Sequence, residues 1–244
     1  MSARGQEFDA FAGYPEPPAP RIVGPQLRTI SNRIAASYRD ERFYDGDRAD
    51  GYGGLHDDGR WKPIAERIVE HYGLAGKRVL QLNAHKGFLV RELNLLCSAY
   101  GQEVSQYAVH NAVTDLEWSE FTRLPYGAGE MQFIIAASCV YSLSLPDAMK
   151  CLKEIQRVSS GRAWVTLAAY ETPEDLMLLR QWFLLGTTIL TKEDWLEVMR
   201  HCGYSGDYRW ETAKSLNLVA APPPEWDEGR GWSKQIMVVE ADIA

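Results

Sequence analysis

The chain has 244 residues, a formal net charge of −7 and 45% hydrophobic residues, which fits one large decorated domain with enough apolar material for a sizeable core. The acidic balance argues against a nucleic-acid or anionic-membrane partner, because both need a basic surface. With no apolar run of membrane-spanning length and no signal-peptide core at the start, the expectation is a cytoplasmic protein.

Residues 1–26 are rich in Pro and Gly and read as an irregular arm. Leu27, Ile30, Ile34 and Tyr38 fall on one helical face, so a short helix follows. Residues 40–61 are mostly Gly, Asp, Arg and Tyr, which is loop chemistry. A helix starts near Pro63, with Ile64, Ile68, Val69 and Tyr72 inward, and Gly73 ends it. From there strands and helices alternate. "KRVLQLN" (77–83) predicts a strand, and Leu89, Leu93, Leu96 and Tyr100 predict a helix. "EVSQYAV" (103–109) and "MQFIIAA" (131–137) predict two further strands. Ser144 with Asp147 predicts a capped helix over 145–158, and "RAWVTLAAY" (162–170) the next strand. Thr172 and Thr191 each open a run that looks like a helix start. "KQIMVVEA" (234–241) predicts a closing strand.

Alternation of this kind implies a mostly parallel sheet covered on both faces, with the closing strand as an antiparallel edge. The organisation expected is an arm and short helix over 1–43, then one domain over 44–244, with a loop at 44–61 and a C-terminal turn and strand at 213–244. The four cysteines, Cys97, Cys139, Cys151 and Cys202, show no Cys-x-x-Cys spacing and sit in apolar stretches, so they read as buried free thiols.

Two segments carry a resemblance. "YDGDRADGYGGLHDDGRWKPIAERIVEHYGL" (44–74) resembles the N-terminal signature of a bacterial group of class I S-adenosylmethionine (SAM) methyltransferases. "KRVLQLNAHKGFLVREL" (77–93) falls where that family's strand–loop–helix SAM motif belongs. The later segments 152–158 and 191–208 also resemble it, so the resemblance covers about residues 44–212. It implies a Rossmann-like α/β fold, with a mostly parallel seven-stranded sheet, an antiparallel edge strand and helices on both faces.

The resemblance also implies a cofactor site, and the chain departs from it. The family pattern is an acid, an apolar residue, Gly-x-Gly and a further Gly, because glycines let the backbone approach the cofactor with positive φ. Gln81 stands for the acid, Asn83 and His85 for the first two glycines, and only Gly87 remains. Aligning Val104 with the family's second strand places Ala108 at the ribose-binding acid, where it offers no acceptor. The expectation is therefore no bound cofactor and no metal, with catalytic residues unassigned.

The rest of the signature reads as a lid over the cleft, with Arg48, Tyr52, Asp58, Arg60 and Trp61 facing a substrate or a partner. Arg suits anions, and Tyr or Trp can stack on a sugar or base. The alternative is a brace packing the arm against the sheet. His85 and His110, with Cys139 or Tyr141, allow a new polar or metal site, against the plainer reading that His85 plugs a vacated pocket. Trp226 and Trp232 lie in a Pro-rich turn that suits a protein partner or folds back on the sheet. The leading functional expectation is a methyltransferase-like protein that has lost SAM binding and serves as a structural or activating subunit. It would form a homo- or hetero-oligomer, plausibly with an active methyltransferase paralogue. The alternative is an active SAM-dependent methyltransferase with a non-standard pocket, acting on a sugar or small metabolite.

Overall fold

A computed structural model describes residues 5–15 and 19–222. In chain order the elements are β1 (Arg21–Val23), α1 (Ile30–Ser37), α2 (Glu41–Tyr44), α3 (Trp61–Tyr72), β2 (Arg78–Leu82), α4 (Phe88–Leu93), β3 (Ser98–Glu103), α5 (Gln106–His110) and β4 (Glu117–Trp118). They continue with β5 (Phe133–Ala136), α6 (Leu145–Ser159), β6 (Ala163–Tyr170), α7 (Pro173–Trp182), β7 (Leu190–Thr191), α8 (Lys192–Cys202), β8 (Asp207–Glu211) and β9 (Leu218–Ala220).

The main sheet has seven strands in the order β4-β3-β2-β5-β6, with β7 and β8 both on the far side of β6. Every ladder among the described residues is parallel. The antiparallel edge expected at 234–241, and the turn with Trp226 and Trp232, lie outside the described residues. This is the α/β, Rossmann-like architecture expected from the sequence. Its chain order reverses direction between β2 and β5, and the crevice beyond the carboxyl ends of such neighbours is where open α/β sheets bind ligands.

The strands alternate faces with period two, as a sheet buried on both sides requires. Leu80, Leu82, Ile134, Ala136 and Val165 face α6 and α8 in one core. Val79, Phe133, Ile135 and Trp164 face α3 and α4 in the other. The N-terminal arm completes this second layer. Phe8 stacks on His71 at 3.7 Å, its carbonyl accepts the Trp164 indole N–H at 2.8 Å, and its amide donates to Tyr208 O at 2.8 Å. All four cysteines are free thiols, as expected, with Cys97 half-buried and the others buried.

Two elements differ from the sequence expectation. The helix expected to run to Tyr100 stops at Leu93, because the Asn94 side chain accepts the Ala99 amide at 2.9 Å and turns the chain into β3. The second strand is therefore Ser98–Glu103, and the segment 106–110 expected within it is α5, capped by Ser105 accepting from Ala108 N at 3.0 Å. The stripe on α1 exists, but it faces outward. Ile30, Ile34 and Tyr38 are 70, 53 and 72% exposed, and the helix buries Ala35 and Ala36 instead.

Helix α7 begins at the expected Thr172, in a capping box. Thr172 Oγ1 accepts the Asp175 amide at 3.1 Å, and the Asp175 carboxylate accepts the Thr172 amide at 3.1 Å. Its last residue is Trp182, so the cap anchors a helix that delivers an aromatic to the crevice. Thr172→Ala is expected to cost about 1 kcal/mol of stability, read as a lower urea midpoint at unchanged slope; an unchanged midpoint contradicts this.

Candidate functional site

The carboxyl ends of β2 and β5 open into a cavity of about 600 Å³, lined by Gln81, Asn83, His85, Ala137 and Ser138 at its base. That volume is ordinary for a small-molecule site. The turn after β2 keeps the backbone form of a glycine-rich loop with one glycine. Asn83, His85 and Gly87 take φ of 56°, 54° and 81°. Asn tolerates this region, whereas His does so only when its surroundings hold it there. Two contacts hold it: the His85 amide donates to Glu103 Oε2 at 2.7 Å, and the Asn83 side-chain amide donates to Ala137 O at 3.2 Å, tying β2 to β5.

Glu103 changes the reading of the site. It ends β3, next to β2, and is fully buried. Its Oε1 accepts the Val104 and Ser105 amides at 2.8 and 3.1 Å. Burial raises its pKa, and those bonds and nearby Arg39 oppose the rise. The assignment of Ala108 to the ribose-acid position is thus corrected. Ala108 lies inside α5, packed with Ala36, Phe43 and Tyr44. The strand-end acid is Glu103, five residues earlier.

His85 is the one large intrusion into the turn. Its Nε2 lies 2.8 Å from Tyr52 Oη and 3.2 Å from Asn83 Nδ2. The Asn83 amide can only donate, so Nε2 accepts and the ring is neutral with its proton on Nδ1. Burial, then the Arg39 charge, push its pKa down to about 4. Two acceptors on residues that line the cavity, Gln81 Oε1 and Asn83 Oδ1, are buried and have no partner among the described residues. Arg39 also lines the cavity, and among the described residues its guanidinium makes no ion pair.

The lid residues divide between two roles. Arg48 and Tyr52 line the cavity. The glycine beside Tyr52 has no substitute, since a Cβ on Gly51 would stand 1.9 Å from Phe43 O. Asp58 and Arg60 pair with each other, and Arg60 donates to Tyr14 Oη at 2.7 Å. Trp61 packs edge-on against Phe11 and Tyr14 at 5.9 and 5.5 Å while also reaching the cavity wall. The Asp58–Arg60–Trp61 half therefore braces the arm.

The meeting of His85 with His110 and Cys139 that the sequence allowed as an alternative does not form. His110 ends α5 on the surface, and Cys139 is buried in the α6 core. Among the described residues no group of three or more His, Cys, Asp or Glu side chains could hold a metal ion. Tyr141 does reach the cavity, where its hydroxyl donates to Glu211 Oε2 at 2.6 Å and burial pushes its pKa well up.

Sequence reasoning missed Glu103, Arg39, Glu211 and the arm's Arg21 and Arg28. Only Glu103 had a usable signal, a lone acid two residues after Gly101 and one strand length beyond the turn. No helix among the described residues is long and apolar enough to cross a membrane.

No protein-family model matches the chain, and no curated protein sequence matches it. Solved structures similar to it include a methyltransferase from Haloferax volcanii in complex with the Trm112 methyltransferase activator, at 20% identity and TM-score 0.45, covering 60% of this chain and 73% of that one. Magnesium protoporphyrin IX methyltransferase from Synechocystis, with bound S-adenosylhomocysteine, is similar at 15% identity and TM-score 0.48, covering 62% and 80%. A SAM-dependent methyltransferase from Aquifex aeolicus is similar at 18% identity and TM-score 0.42, covering 61% and 89%. Overlaps of this size carry no functional conclusion, and the fold assignment rests on the strand order itself.

Proposed function

We propose that the chain is a SAM-dependent methyltransferase with a non-standard cofactor turn, acting on a small molecule held in the same cavity. The observation that carries this is Glu103, an acid at the end of the strand beside β2 whose carboxylate already holds the turn amide of His85. The residues present fit the group. The orphaned oxygens of Gln81 and Asn83 suit an ammonium and Arg39 suits a carboxylate, and Glu103, which lies behind the cavity lining and already accepts three backbone amides, keeps one acceptor site for a ribose hydroxyl. When bound, SAM supplies an electrophilic methyl group. The chain's own part is to seat both ligands and exclude water, with Tyr52 and Tyr141 on the cavity wall. Glu103 is covered by α2, whose Tyr44 stands beside it, so cofactor entry requires α2 and the following lid to lift.

A second reading, a subunit that has lost SAM binding, is favoured by the half-buried His85 ring in the turn and by the exposed stripe on α1. It would act beside an active paralogue or a second copy, with that stripe in an interface burying more than roughly 1,000 Å². Calorimetry of the full chain with SAM and S-adenosylhomocysteine separates the two. The enzyme reading expects a micromolar dissociation constant, about −8 kcal/mol. Binding no tighter than about 1 mM overturns it and leaves the subunit reading, which light scattering with and without a paralogue then tests.

A further inference from the structure

In the same cavity three guanidinium groups surround one indole. Arg21, Arg28 and Arg48 lie 5.1, 4.3 and 5.2 Å from the centre of the Trp182 ring. They come from separate parts of the chain, β1, the approach to α1 and the lid, and all four residues line the cavity. Among the described residues none of the three arginines has a carboxylate within ion-pair distance. Their hydrogen bonds go to backbone carbonyls: Arg21 to Leu216, Arg28 to Trp182 and Arg48, and Arg48 to Gly51. Arg209, on the same wall, is by contrast paired with Asp9 at 3.1 Å.

Like charges gathered this way repel. Burial, followed by the charges of Arg48, Arg33 and Arg21, pushes the Arg28 pKa down to about 10, and burial first, then Arg48, lowers that of Arg21. The indole face attracts the cations without neutralising them. In a chain whose net charge is −7, the described residues place no carboxylate in contact with the three; Glu211, on the same cavity wall, acts on Arg21 only from beyond ion-pair distance. One carboxylate ligand would offset a single charge. A phosphate carries a charge of about −1.5 to −2 and three strong acceptor oxygens, and guanidinium forks match its geometry.

We propose that Arg21, Arg28 and Arg48, arranged around Trp182, bind the phosphate or diphosphate group of a phosphorylated small-molecule substrate. This names the substrate class for the cavity assigned to methyl transfer and rests on that reading for its biological meaning. The anion site is measured without SAM, so the two fail separately.

The test titrates the full chain with inorganic phosphate, pyrophosphate and citrate by calorimetry and thermal melting. Pyrophosphate is expected to bind once per chain with a dissociation constant below about 1 mM and to raise the melting temperature, because it binds only the folded state. Arg28→Gln is expected to weaken it at least tenfold, and Arg28→Gln with Arg48→Gln to abolish it. Arg78→Gln, far from the cavity, leaves it unchanged. If Arg28→Gln fails to fold, by far-ultraviolet dichroism, Arg48→Gln carries the same tenfold expectation. The proposal is overturned if pyrophosphate does not bind, if it binds equally to the cavity variants, or if citrate binds more tightly than pyrophosphate.

Discussion

If the cavity binds SAM as proposed, Glu103→Gln is expected to lower that affinity by about 100-fold. A ribose hydroxyl bonded to an ionised carboxylate contributes about 1.5–3 kcal/mol beyond water. A neutral amide turns a donor toward that hydroxyl or toward a backbone N–H. The same change reaches the folded protein alone. Glu103 accepts from the amides of His85, Val104 and Ser105, and an amide nitrogen in place of either oxygen strands at least one buried donor, costing about 1–3 kcal/mol. Calorimetry and urea unfolding on the same variant read the two effects. Unchanged SAM affinity in a folded Glu103→Gln protein removes Glu103 from the cofactor site. Unchanged stability contradicts its role as the pin of the turn.

The second large effect is one of pH. His85 has its pKa pushed down to about 4 by burial and by Arg39, whereas in the unfolded chain it titrates near about 6.5. Between those values the unfolded state carries a proton that the native state excludes. Stability therefore falls as pH drops through this window, by up to about 1.4 kcal/mol per pH unit and about 3 kcal/mol in all. Above the unfolded value His85 contributes no pH dependence. His85→Gln retains a polar group beside Tyr52 and abolishes this component. Acids elsewhere titrate alike in both proteins, so the expected result is a stability difference that shifts in favour of the variant by about 3 kcal/mol between pH 7 and pH 4. A constant difference across that range shows that the ring is solvated or already charged in the native state.

Much of the frame was legible because its residues announce it. The apolar runs of β2, β5 and β6 are buried on both faces, and Ser144, Thr172 and Thr191 each cap the helix they precede. β3 was not legible. "SAYGQE" buries Gly101, Gln102 and Glu103 rather than apolar side chains, so neither alternation nor composition marks it. The more strand-like "VSQYAV" next to it is instead carried into α5 by the Ser105 cap. That one displacement moved the end of the strand by five residues, from Ala108 to an acid, Glu103. The arginines around Trp182 were illegible for another reason. They come from segments up to 161 positions apart in sequence, from Arg21 to Trp182, and nothing local marks them as neighbours.

The pairing of the chain's first and last described segments bears on how the protein is made. Gln6, Phe8 and the strand Arg21–Val23 find their backbone partners at Tyr208 and Leu218–Ala220. A nascent chain elongating at about 5–20 residues per second holds its arm for about 10–40 s before those partners emerge. Over that interval Phe8 and Phe11 can already meet His71, Trp61 and Trp164, and the arginines Trp182, but the strand Arg21–Val23 has no backbone partner. The cavity wall that carries Arg21 is thus closed by almost the last described residues synthesised, so a chain arrested before Leu218 has the turn after β2 in place and lacks the backbone partner of the strand that carries Arg21.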